Sequence, residues 1–395
     1  MTGGRASNAR AEAVIDHAAL RQNVDQLRHA LAHDGEASAT LLGVVKADAY
    51  GHGALPIAKT LRQYGVSWIG VALPEEALSL RAAGDIGRIL AWLTVPGDPR
   101  IAECVAAEID LSVGAPWMLD EVRSAALAAG VRARVHLKVD TGLGRGGSSL
   151  DSWPEMLELA GRAQGEGSIQ VVGIWSHLAA GEDPEHESVA LQRSNFAHAL
   201  QLARDAKISA GLNHIANSGA VLSGAMSGVM TGGGLARSGI AMYGLTPGRV
   251  LGDSAQLKLV PVMTLQARLA LVKTVPAGQG VSYGHHWIAP AATTLALVPL
   301  GYADGIPRSA RDAQVFIRGR RKPIVGRIAM DQFVIDLGGD HADPGDEVVV
   351  FGTGANGEPT AENWAEWAGT IGYEIVTRIG PRVPRVHEHV EGQIL

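Results

Sequence analysis

A lysine that follows an apolar run near the start of the chain has the setting of a reactive amine. The run is Leu-Leu-Gly-Val-Val over residues 41–45, which is typical of a strand buried on both faces, and Lys46 comes directly after it. A lysine amine is a nucleophile only when it is neutral, and both removal from water and nearby cations lower its pKa. Lys46 could therefore form a Schiff base with an aldehyde, although a lone lysine at a strand end more often extends its ammonium group into solvent.

Glycines on either side of His52 allow a tight turn after this lysine. Gly51 and Gly53 flank the histidine, and a helix is predicted to begin near Ala54. The N-terminal amides of that helix could help to hold an anion, because such amides carry a partial positive charge.

The elements that must position Lys46 alternate between strand and helix. Eight strands are predicted, at residues 40–45, 68–71, 88–93, 109–113, 132–139, 169–175, 212–216 and 236–242. This alternation predicts an α/β fold, a (β/α)₈ TIM-type barrel with right-handed crossovers, whose site lies at the C-terminal ends of the strands. Lys46 stands at one such end.

Other polar residues follow the predicted strands at the same rim. They are Tyr50 after the first strand, Lys138 and Arg145 at the fifth, His177 after the sixth, His214, Asn217 and Ser218 at the seventh, and Arg237, Gly239 and Ile240 at the eighth. Barrels commonly bind phosphate at the loops after strands seven and eight, where Ser218 offers a hydroxyl and Gly239 an amide. A Schiff-base lysine that faces a phosphate cradle indicates a site for pyridoxal 5'-phosphate. Taken singly, these residues also fit a core histidine, a helix cap or a surface ion pair, and only their convergence favours a site.

Composition limits the classes of protein to which the chain can belong. Its 395 residues are 46% hydrophobic, which suits two domains, and a net charge of -6 without basic clusters argues against a nucleic-acid partner. A single cysteine, Cys104, indicates a reducing compartment, and no apolar run reaches membrane-spanning length. We therefore expect a soluble, cytoplasmic protein without a membrane or nucleic-acid partner, and we predict no metal site.

The pattern changes after about residue 251, from alternation of strand and helix to apolar runs separated by turns. The runs cover residues 260–275, 293–300, 314–317, 333–337 and 347–351, and helical spacing appears only near 360–368. We predict a disordered N-terminus at 1–12, a barrel domain at 13–250 and a β-rich C-terminal domain at 251–395. The first strand, at residues 13–15, could pack with the C-terminal domain instead of the barrel.

The order of the motifs resembles the alanine racemase family, whose members join such a barrel to a β-rich domain and use pyridoxal phosphate. The matching segments run from about residue 13 to 385 and are VVKADAYGHG, KVDTGLGRGG, WSHLAAGEDP, HIANSGA, RSGIAMYG, KTVPAGQGVSYG, VPLGYADGIPR, GRIAMDQFVID and YEIVTRIGPRVPR. The resemblance implies an enzyme that interconverts L- and D-alanine and supplies D-alanine for peptidoglycan. It also implies a head-to-tail homodimer in which each C-terminal domain covers the barrel of the partner, so that the active sites are shared.

The resemblance also assigns roles to individual residues. It implies that Lys46 carries the cofactor and that Tyr283 is the second catalytic group. The cofactor contacts that it implies are Tyr50, His177, Asn217, Ser218, Arg237, Gly239, Ile240 and Tyr373. Arg145, the backbone of Met330 and Asp331 would bind the substrate carboxylate. Lys138 matches a position that is carboxylated in some relatives, where it orients the arginine equivalent to Arg145.

Racemisation requires a base on each face of a planar carbanion, which Lys46 and Tyr283 would provide. A phenol has a pKa of about 10 and needs cationic neighbours to act as a base at neutral pH. We predict that a chain from Tyr283 through His214 to Arg237, with Arg145 nearby, supplies them. An arginine at the pyridine nitrogen cannot readily donate a proton, so the cofactor ring should be a weak electron sink and transamination should be suppressed.

Other functions fit parts of this pattern. They are a broad-specificity or serine racemase of the same family, a barrel-type decarboxylase of basic amino acids, a non-catalytic pyridoxal-phosphate carrier and a barrel aldolase that uses Lys46 without cofactor. The decarboxylases use a late cysteine and a strong electron sink, whereas this chain has Arg237 and only the early Cys104. The carriers are typically lone barrels, without a domain like the one that bears Tyr283. The glycine-rich residues 226–236 depart from the family pattern and leave the start of the eighth strand open.

Overall fold

Eight parallel strands form a closed barrel in the computed structural model, which describes residues 9–33, 39–225 and 234–390. The strands are Ala39–Val44, Trp68–Val71, Arg88–Ala91, Asp110–Val113, Ala133–Lys138, Ile169–Trp175, Leu212–His214 and Gly234–Ser238. The first strand closes the barrel against the last, with Leu41 opposite Ala236 and Gly43 opposite Ser238. The predicted TIM-type barrel is confirmed.

Helices connect the strands and pack on the outside of the barrel. They are His17–His33, Ala54–Gln63, Pro74–Ala82, Arg100–Ala106, Pro116–Ala129, Trp153–Gly165, Glu187–Asp205 and Ser218–Ser223. In the first of them Leu20, Val24 and Leu27 recur at helical spacing and are fully buried. Burial of a side chain of this size stabilises a fold by about 1.5–3 kcal/mol. Within the three described ranges, no helix combines the length and the apolar character that crossing a membrane requires.

The last two barrel strands are shorter than predicted. The eighth ends at Ser238, and Ile240–Tyr243 forms a 3-10 helix where the prediction continued the strand to residue 242. That segment is apolar because the helical turn is fully buried, not because it is a strand. The seventh strand ends at His214 instead of residue 216. Of the glycine-rich stretch 226–236, residues 226–233 lie outside the described residues.

A nine-stranded sheet forms most of the C-terminal domain. In spatial order its strands are Leu271–Val275, Thr293–Val298, Phe333–Gly338, Arg320–Val325, Gln314–Ile317, Glu347–Phe351, Met263–Arg268, Ala11–Asp16 and Arg385–Glu388. The remaining elements are the ribbon Gly280–Val281 with Trp287–Ile288, the helices Ala361–Ala368 and Gly372–Thr377, and the 3-10 helices Arg249–Leu251, Tyr283–His285 and Tyr302–Asp304. The β-rich second domain is confirmed, although the predicted runs do not include the strand Arg320–Val325, the short ribbon, the last helix or the last strand.

The first strand of the chain belongs to this second sheet. Ala11–Asp16 lies antiparallel to Met263–Arg268 and parallel to Arg385–Glu388, with Ala13 opposite both Leu265 and Arg385. The strand already includes residues 11 and 12, which corrects the predicted disordered segment 1–12. Residues 1–8 of that segment lie outside the described residues.

Candidate active site

A cavity of about 730 Å³ opens at the C-terminal ends of the barrel strands. It brings together most of the predicted site residues: Lys46, Tyr50, Lys138, Arg145, His177, Asn217, Ser218, Arg237, Gly239, Ile240 and Tyr373. Tyr373 comes from the C-terminal domain, on the helix Gly372–Thr377. Among the described residues, two lysines and two arginines line the cavity and no carboxylate does. The cavity therefore suits an anionic ligand.

The backbone after Lys46 forms a turn of left-handed conformation. Residues 47–50 all have φ near +54°, which costs about 1–2 kcal/mol for each residue other than glycine. Two carboxylates hold the turn: Glu76 Oε1 accepts from the Ala47 N–H at 2.6 Å, and Asp48 Oδ1 accepts from the Ala54 N–H at 2.7 Å. The helix amide that was predicted to help to hold an anion is thus already bonded within the chain.

The amine of Lys46 is partly withdrawn from water. Its Nζ lies 5.9 Å from the centre of the Tyr50 ring. Burial and, second to it, the positive charge of Arg145 lower the pKa of Lys46, while the nearby Glu76 opposes the shift. A lowered pKa increases the neutral fraction of the amine at a given pH, as a nucleophile requires.

The loops after the last two barrel strands form a small polar cradle. The Gly239 amide donates to Ser218 Oγ at 2.9 Å. A side chain has no room at Gly239, since a Cβ atom there would lie 2.2 Å from Tyr50 Oη. The ring centre of Tyr373 lies 6.2 Å from that of Tyr50. Tyr50, Ser218 and Tyr373 bring three hydroxyl groups to the cavity, and the amide of Ile240 lies at the start of its 3-10 helix; this set of donors suits a phosphate-sized anion.

Asn217 lines the same cavity but already has a structural task. Its Oδ1 accepts from the Ala220 N–H at 3.0 Å and caps the helix Ser218–Ser223. The cap fixes the place of Ser218, the first residue of that helix. A direct cofactor contact of Asn217 stays a prediction.

Arg237 is a buried cation at the floor of the cavity. Its Nη1 donates to His214 Nδ1 at 2.9 Å, and its Nη2 donates to the Ser176 carbonyl at 2.8 Å and lies 3.2 Å from His177 Nδ1. Burial and, second to it, Arg145 lower the pKa of Arg237 to about 9, so the guanidinium group is still charged at neutral pH. Its Nε–H makes no hydrogen bond within the described part of the chain and is left for a ligand.

The two histidines beside Arg237 are both neutral but differ in position. Burial, followed by the charge of Arg237, lowers the pKa of His177 to about 2 and that of His214 well below its ordinary value. His177 lines the cavity, whereas His214 is fully buried beneath it, and its Nε2 lies 2.8 Å from His136 Nδ1. Both ring nitrogens of His214 are therefore occupied. No nitrogen of His214 is left for the predicted link to Tyr283, which corrects that prediction, whereas His177 lines the cavity beside Arg237.

Lys138 and Arg145 also line the cavity, at the end of the fifth barrel strand and in the loop after it. Burial and, second to it, the charge of Arg145 lower the pKa of Lys138 to about 8. Asp140 Oδ1 accepts from the three amides of residues 142–144 at 2.9–3.2 Å and shapes the loop that carries Arg145. The lowered pKa favours the neutral lysine amine that reacts with carbon dioxide, and carboxylation of Lys138 stays a prediction.

Three predicted site residues of the C-terminal domain lie outside this cavity. Tyr283, Met330 and Asp331 belong to the C-terminal domain, and Tyr283 and Met330 are 71% and 53% exposed. The Met330 carbonyl accepts from the Ala303 N–H at 3.0 Å, and Asp331 forms an ion pair with Arg382 at 2.8 Å. These contacts fix the Met330 loop on its own domain, so one chain alone does not bring the three residues to the lysine.

Several residues that support the site were missed by the sequence analysis. They are Glu76, Asp110, His136, Trp175 and Tyr243. The Tyr243 hydroxyl is fully buried and donates to the Val44 carbonyl at 2.9 Å, and its ring centre lies 5.0 Å from that of Tyr50. Tyr243 could have been found, because it comes just after the eighth strand. The other rim residues were identified by their positions just after the ends of barrel strands.

Comparison with known proteins covers both domains. Residues 15–247 match the family model described as alanine racemase, N-terminal domain, and residues 262–387 match alanine racemase, C-terminal domain. An alanine racemase of Streptomyces coelicolor is 52% identical over 384 residues, which cover 96% of each chain. An alanine racemase of Beutenbergia cavernae is 52% identical over 381 residues, which cover 95% of this chain and 97% of that one.

Solved structures give the same result. The alanine racemase from D-cycloserine-producing Streptomyces lavendulae superposes with a TM-score of 0.92 at 51% identity and covers 96% of this chain and 97% of its own. The alanine racemase of Clostridium difficile 630 superposes with a TM-score of 0.89 at 31% identity and covers 97% of each chain.

Proposed function

This chain belongs to the alanine racemase family, and from that premise we propose that Lys46 and Tyr283 are its two catalytic groups. Its activity is the interconversion of L- and D-alanine, an isomerisation of an amino acid. The observation that carries the role of Lys46 is its position: the amine stands at the rim of the barrel, in a cavity with basic walls, and burial lowers its pKa.

We infer that the cavity binds pyridoxal 5'-phosphate, because its residues fit the separate parts of that molecule. Lys46 would hold the aldehyde carbon. The groups that would hold the phosphate are Tyr50, Ser218, Ile240 and Tyr373, with Asn217 beside them and with Gly239 leaving the room that the Tyr50 hydroxyl occupies. His177 would lie against the ring, and the free Nε–H of Arg237 would meet the ring nitrogen. When bound, the cofactor would supply an electron-withdrawing ring that stabilises negative charge on the substrate α-carbon.

Substitution of Gly239 by Ala is expected to weaken binding of pyridoxal phosphate about 10- to 100-fold, the effect of losing one hydrogen bond to a charged group. The new Cβ atom would lie 2.2 Å from Tyr50 Oη, so the phenol would have to leave the cradle. Titration of the apoprotein with cofactor measures the change. Gly165→Ala is the matched control, since a Cβ atom there meets nothing within 4 Å. Equal affinity of the Gly239 variant and the control for pyridoxal phosphate would show that the phosphate group does not bind in this cradle.

Two side chains would then exchange protons with the substrate. Lys46 accepts the α-proton of D-alanine on one face, and Tyr283 accepts that of L-alanine on the other. An isolated phenol is a poor base at neutral pH, so Tyr283 needs the cationic cavity to favour its phenolate form. His177 would help to favour the phenolate, because it lines the cavity and its Nδ1 lies 3.2 Å from Nη2 of the charged Arg237.

We further propose a homodimer in which the C-terminal domain of one subunit completes the barrel site of the other. The exposure of Tyr283 and Met330 supports this, because both residues face away from the interior of their own chain. Arg145, supported by Lys138, would bind the substrate carboxylate from the barrel side. The Met330 backbone and Asp331 would bind it from the partner side.

A decarboxylase function receives no support from Cys104. Its thiol is fully buried on the helix Arg100–Ala106, 3.9 Å from the Pro74 carbonyl, and it does not line the cavity. Burial raises the pKa of Cys104 to about 12, so the thiol is a poor acid as well as a distant one.

Absorbance and trapping test the central inference of this proposal. The purified protein is expected to absorb visible light through bound pyridoxal phosphate, and reduction with borohydride should bleach this band and leave the cofactor attached to Lys46, as peptide mass spectrometry would detect. Lys59→Arg, on the exposed face of a neighbouring helix, should leave both results unchanged. Racemisation by a colourless protein, or attachment at another lysine, would refute the role of Lys46.

A further inference from the structure

A line of four polar side chains crosses the interior of the barrel beneath the cavity. In order they are Asp110, His136, His214 and Arg237, each on a different strand. The first three are fully buried and Arg237 is 5% exposed. Asp110 is the first residue of its strand, whereas His214 is the last of its own. Because the strands are parallel, this polar line runs from the N-terminal end of the barrel to the rim that bears the site.

Neighbouring members of the polar line lie within hydrogen-bond distance. Asp110 Oδ2 is 3.3 Å from His136 Nε2, and His136 Nδ1 is 2.8 Å from His214 Nε2. His214 Nδ1 is 2.9 Å from Arg237 Nη1. At its outer end Asp110 also forms an ion pair at 2.8 Å with Arg134, which is partly exposed. The line therefore connects a cation of the site to a carboxylate on the far side of the barrel.

The two ends of the polar line fix the direction of every hydrogen bond. A guanidinium group only donates, so His214 accepts from Arg237 at Nδ1 and carries its own proton at Nε2. That proton is donated to His136 Nδ1, which places the proton of His136 at Nε2, where it is donated to Asp110. A carboxylate only accepts, so the far end requires the same direction as the near end.

Charge along the polar line is consistent with this direction. Burial is the largest effect that lowers the pKa of both His136 and His214, so both rings are neutral. Burial alone would raise the pKa of Asp110, but hydrogen bonds from His136 and Arg88 outweigh it and lower the pKa. The line has one positive end, two neutral links and one negative end.

Packing alone does not explain these residues. The interior of a TIM-type barrel is normally filled by branched apolar side chains, and a buried polar network that loses one partner is worse than an apolar core. Within the described part of the barrel, Asp110 is the one fully buried carboxylate. We therefore expect a role of Asp110 that depends on its carboxylate, which accepts hydrogen bonds that an apolar residue could not accept.

We propose that Asp110 and His136 are positioning residues of the racemase reaction, which act through His214 to hold the Arg237 guanidinium group in one orientation. This inference rests on the proposed function, since it concerns the group that would meet the cofactor ring. The Nη1 atom is fixed by His214 and Nη2 by the Ser176 carbonyl, so the Nε–H is left for the ring nitrogen. If His214 carried its proton at Nδ1, that proton would oppose the arginine donor and displace the guanidinium group.

Neutron diffraction from crystals of the holoenzyme in heavy water tests the direction of the line. Deuterium is expected on Nε2 of His136 and of His214, and none is expected on either Nδ1. Deuterium on Nδ1 of either ring overturns the proposal. This measurement locates protons without reference to activity, so it can fail while the proposed function holds.

Substitutions at His136 test its effect on the reaction. His136→Leu removes both links, whereas His136→Gln can still accept from His214 and donate to Asp110. The Leu variant is expected to lose about 10- to 100-fold in kcat, with little change in KM for alanine, because the group that meets the ring is misplaced. The ratio of transamination to racemisation should rise in the same variant, and the Gln variant should recover most of both properties. The proposal is overturned if His136→Leu keeps the kcat of the wild type and its ratio of transamination to racemisation.

A control within the same strand separates positioning from general loosening. Leu137 is also fully buried but points to the opposite face of the strand, so Leu137→Val should lower the melting temperature without changing the ratio of the two reactions. An equal change of that ratio in Leu137→Val would overturn the positioning role. If His136→Leu does not fold, Asp110→Leu, which removes the acceptor for the His136 Nε2–H, should shift the ratio in the same direction, and an unchanged ratio there counts against the proposal. A wild-type protein without cofactor or racemase activity would instead refute the proposed function.

Discussion

The Tyr283→Phe variant is expected to exchange the α-deuteron of D-alanine with solvent but not the α-proton of L-alanine. The phenol is the proposed proton acceptor on the L face, and the ring of phenylalanine cannot accept a proton, whereas Lys46 still serves the D face. Racemisation in both directions should fall about 10²- to 10⁴-fold, the range that a positioned acid or base contributes. NMR can follow the exchange of the α-hydrogen of each enantiomer with heavy or light water, and it thus measures proton transfer on each face separately.

The control for Tyr283→Phe is a tyrosine whose hydroxyl is far from the cavity. Tyr64 donates to Asp25 at 2.6 Å on the outside of the barrel, so Tyr64→Phe should keep full activity. Tyr283 is 71% exposed in its own chain, and its substitution should therefore leave the fold of that chain intact. Equal exchange of both enantiomers by the Tyr283 variant would contradict its assignment to one face.

The Lys46→Ala variant is expected to lose racemisation completely, together with exchange from D-alanine. This change removes the group that would hold the cofactor and the base of the D face at once, so no part of the proposed reaction survives. Racemase assays and absorbance spectra at equal protein concentration measure the two losses. Lys59→Ala, on the exposed face of the helix Ala54–Gln63, is the matched control and should keep both properties. Racemisation by Lys46→Ala at more than a trace of the normal rate would exclude this lysine as a base.

The barrel and its rim could be predicted from sequence because local pattern and topology suffice for them. Apolar runs identify the strands, and the carboxyl ends of parallel strands must meet at one face. The positions of Lys46, His177 and Arg237 at strand ends were therefore enough to predict that the three residues lie close together. The cavity at the rim contains all three.

The polar line beneath the cavity could not be predicted, because its partners are far apart in sequence. His136 and His214 are separated by 78 positions, and nothing in the local pattern of either indicates the other. His214 was consequently assigned a link to Tyr283 that its buried position does not allow. The left-handed turn at residues 47–50 was equally hidden, since it depends on the carboxylate of Glu76 from the helix Pro74–Ala82.

The eighth strand shows a different limit of sequence reasoning. The apolar run of residues 240–242 fits a buried strand and a buried helical turn equally well, and periodicity does not separate them over so short a stretch. In the same way, the exposure of Tyr283 in one chain became visible only in the structure. The local pattern placed it in a second domain, and only the resemblance to a family implied that it meets the barrel of the partner.

The racemase activity of hybrid dimers tests the shared site most directly. Chains with Lys46→Ala and chains with Tyr283→Phe are each inactive as homodimers in this account, because every site lacks one base. A hybrid dimer has one site with both substitutions and one site with neither, so it should show about half the wild-type activity per dimer by symmetry. The two chains can carry different affinity tags, so that only hybrids are purified and assayed. Activity near this level supports a site built from two subunits, whereas isolated hybrids without racemisation would contradict it and assign Tyr283 to the barrel of its own chain.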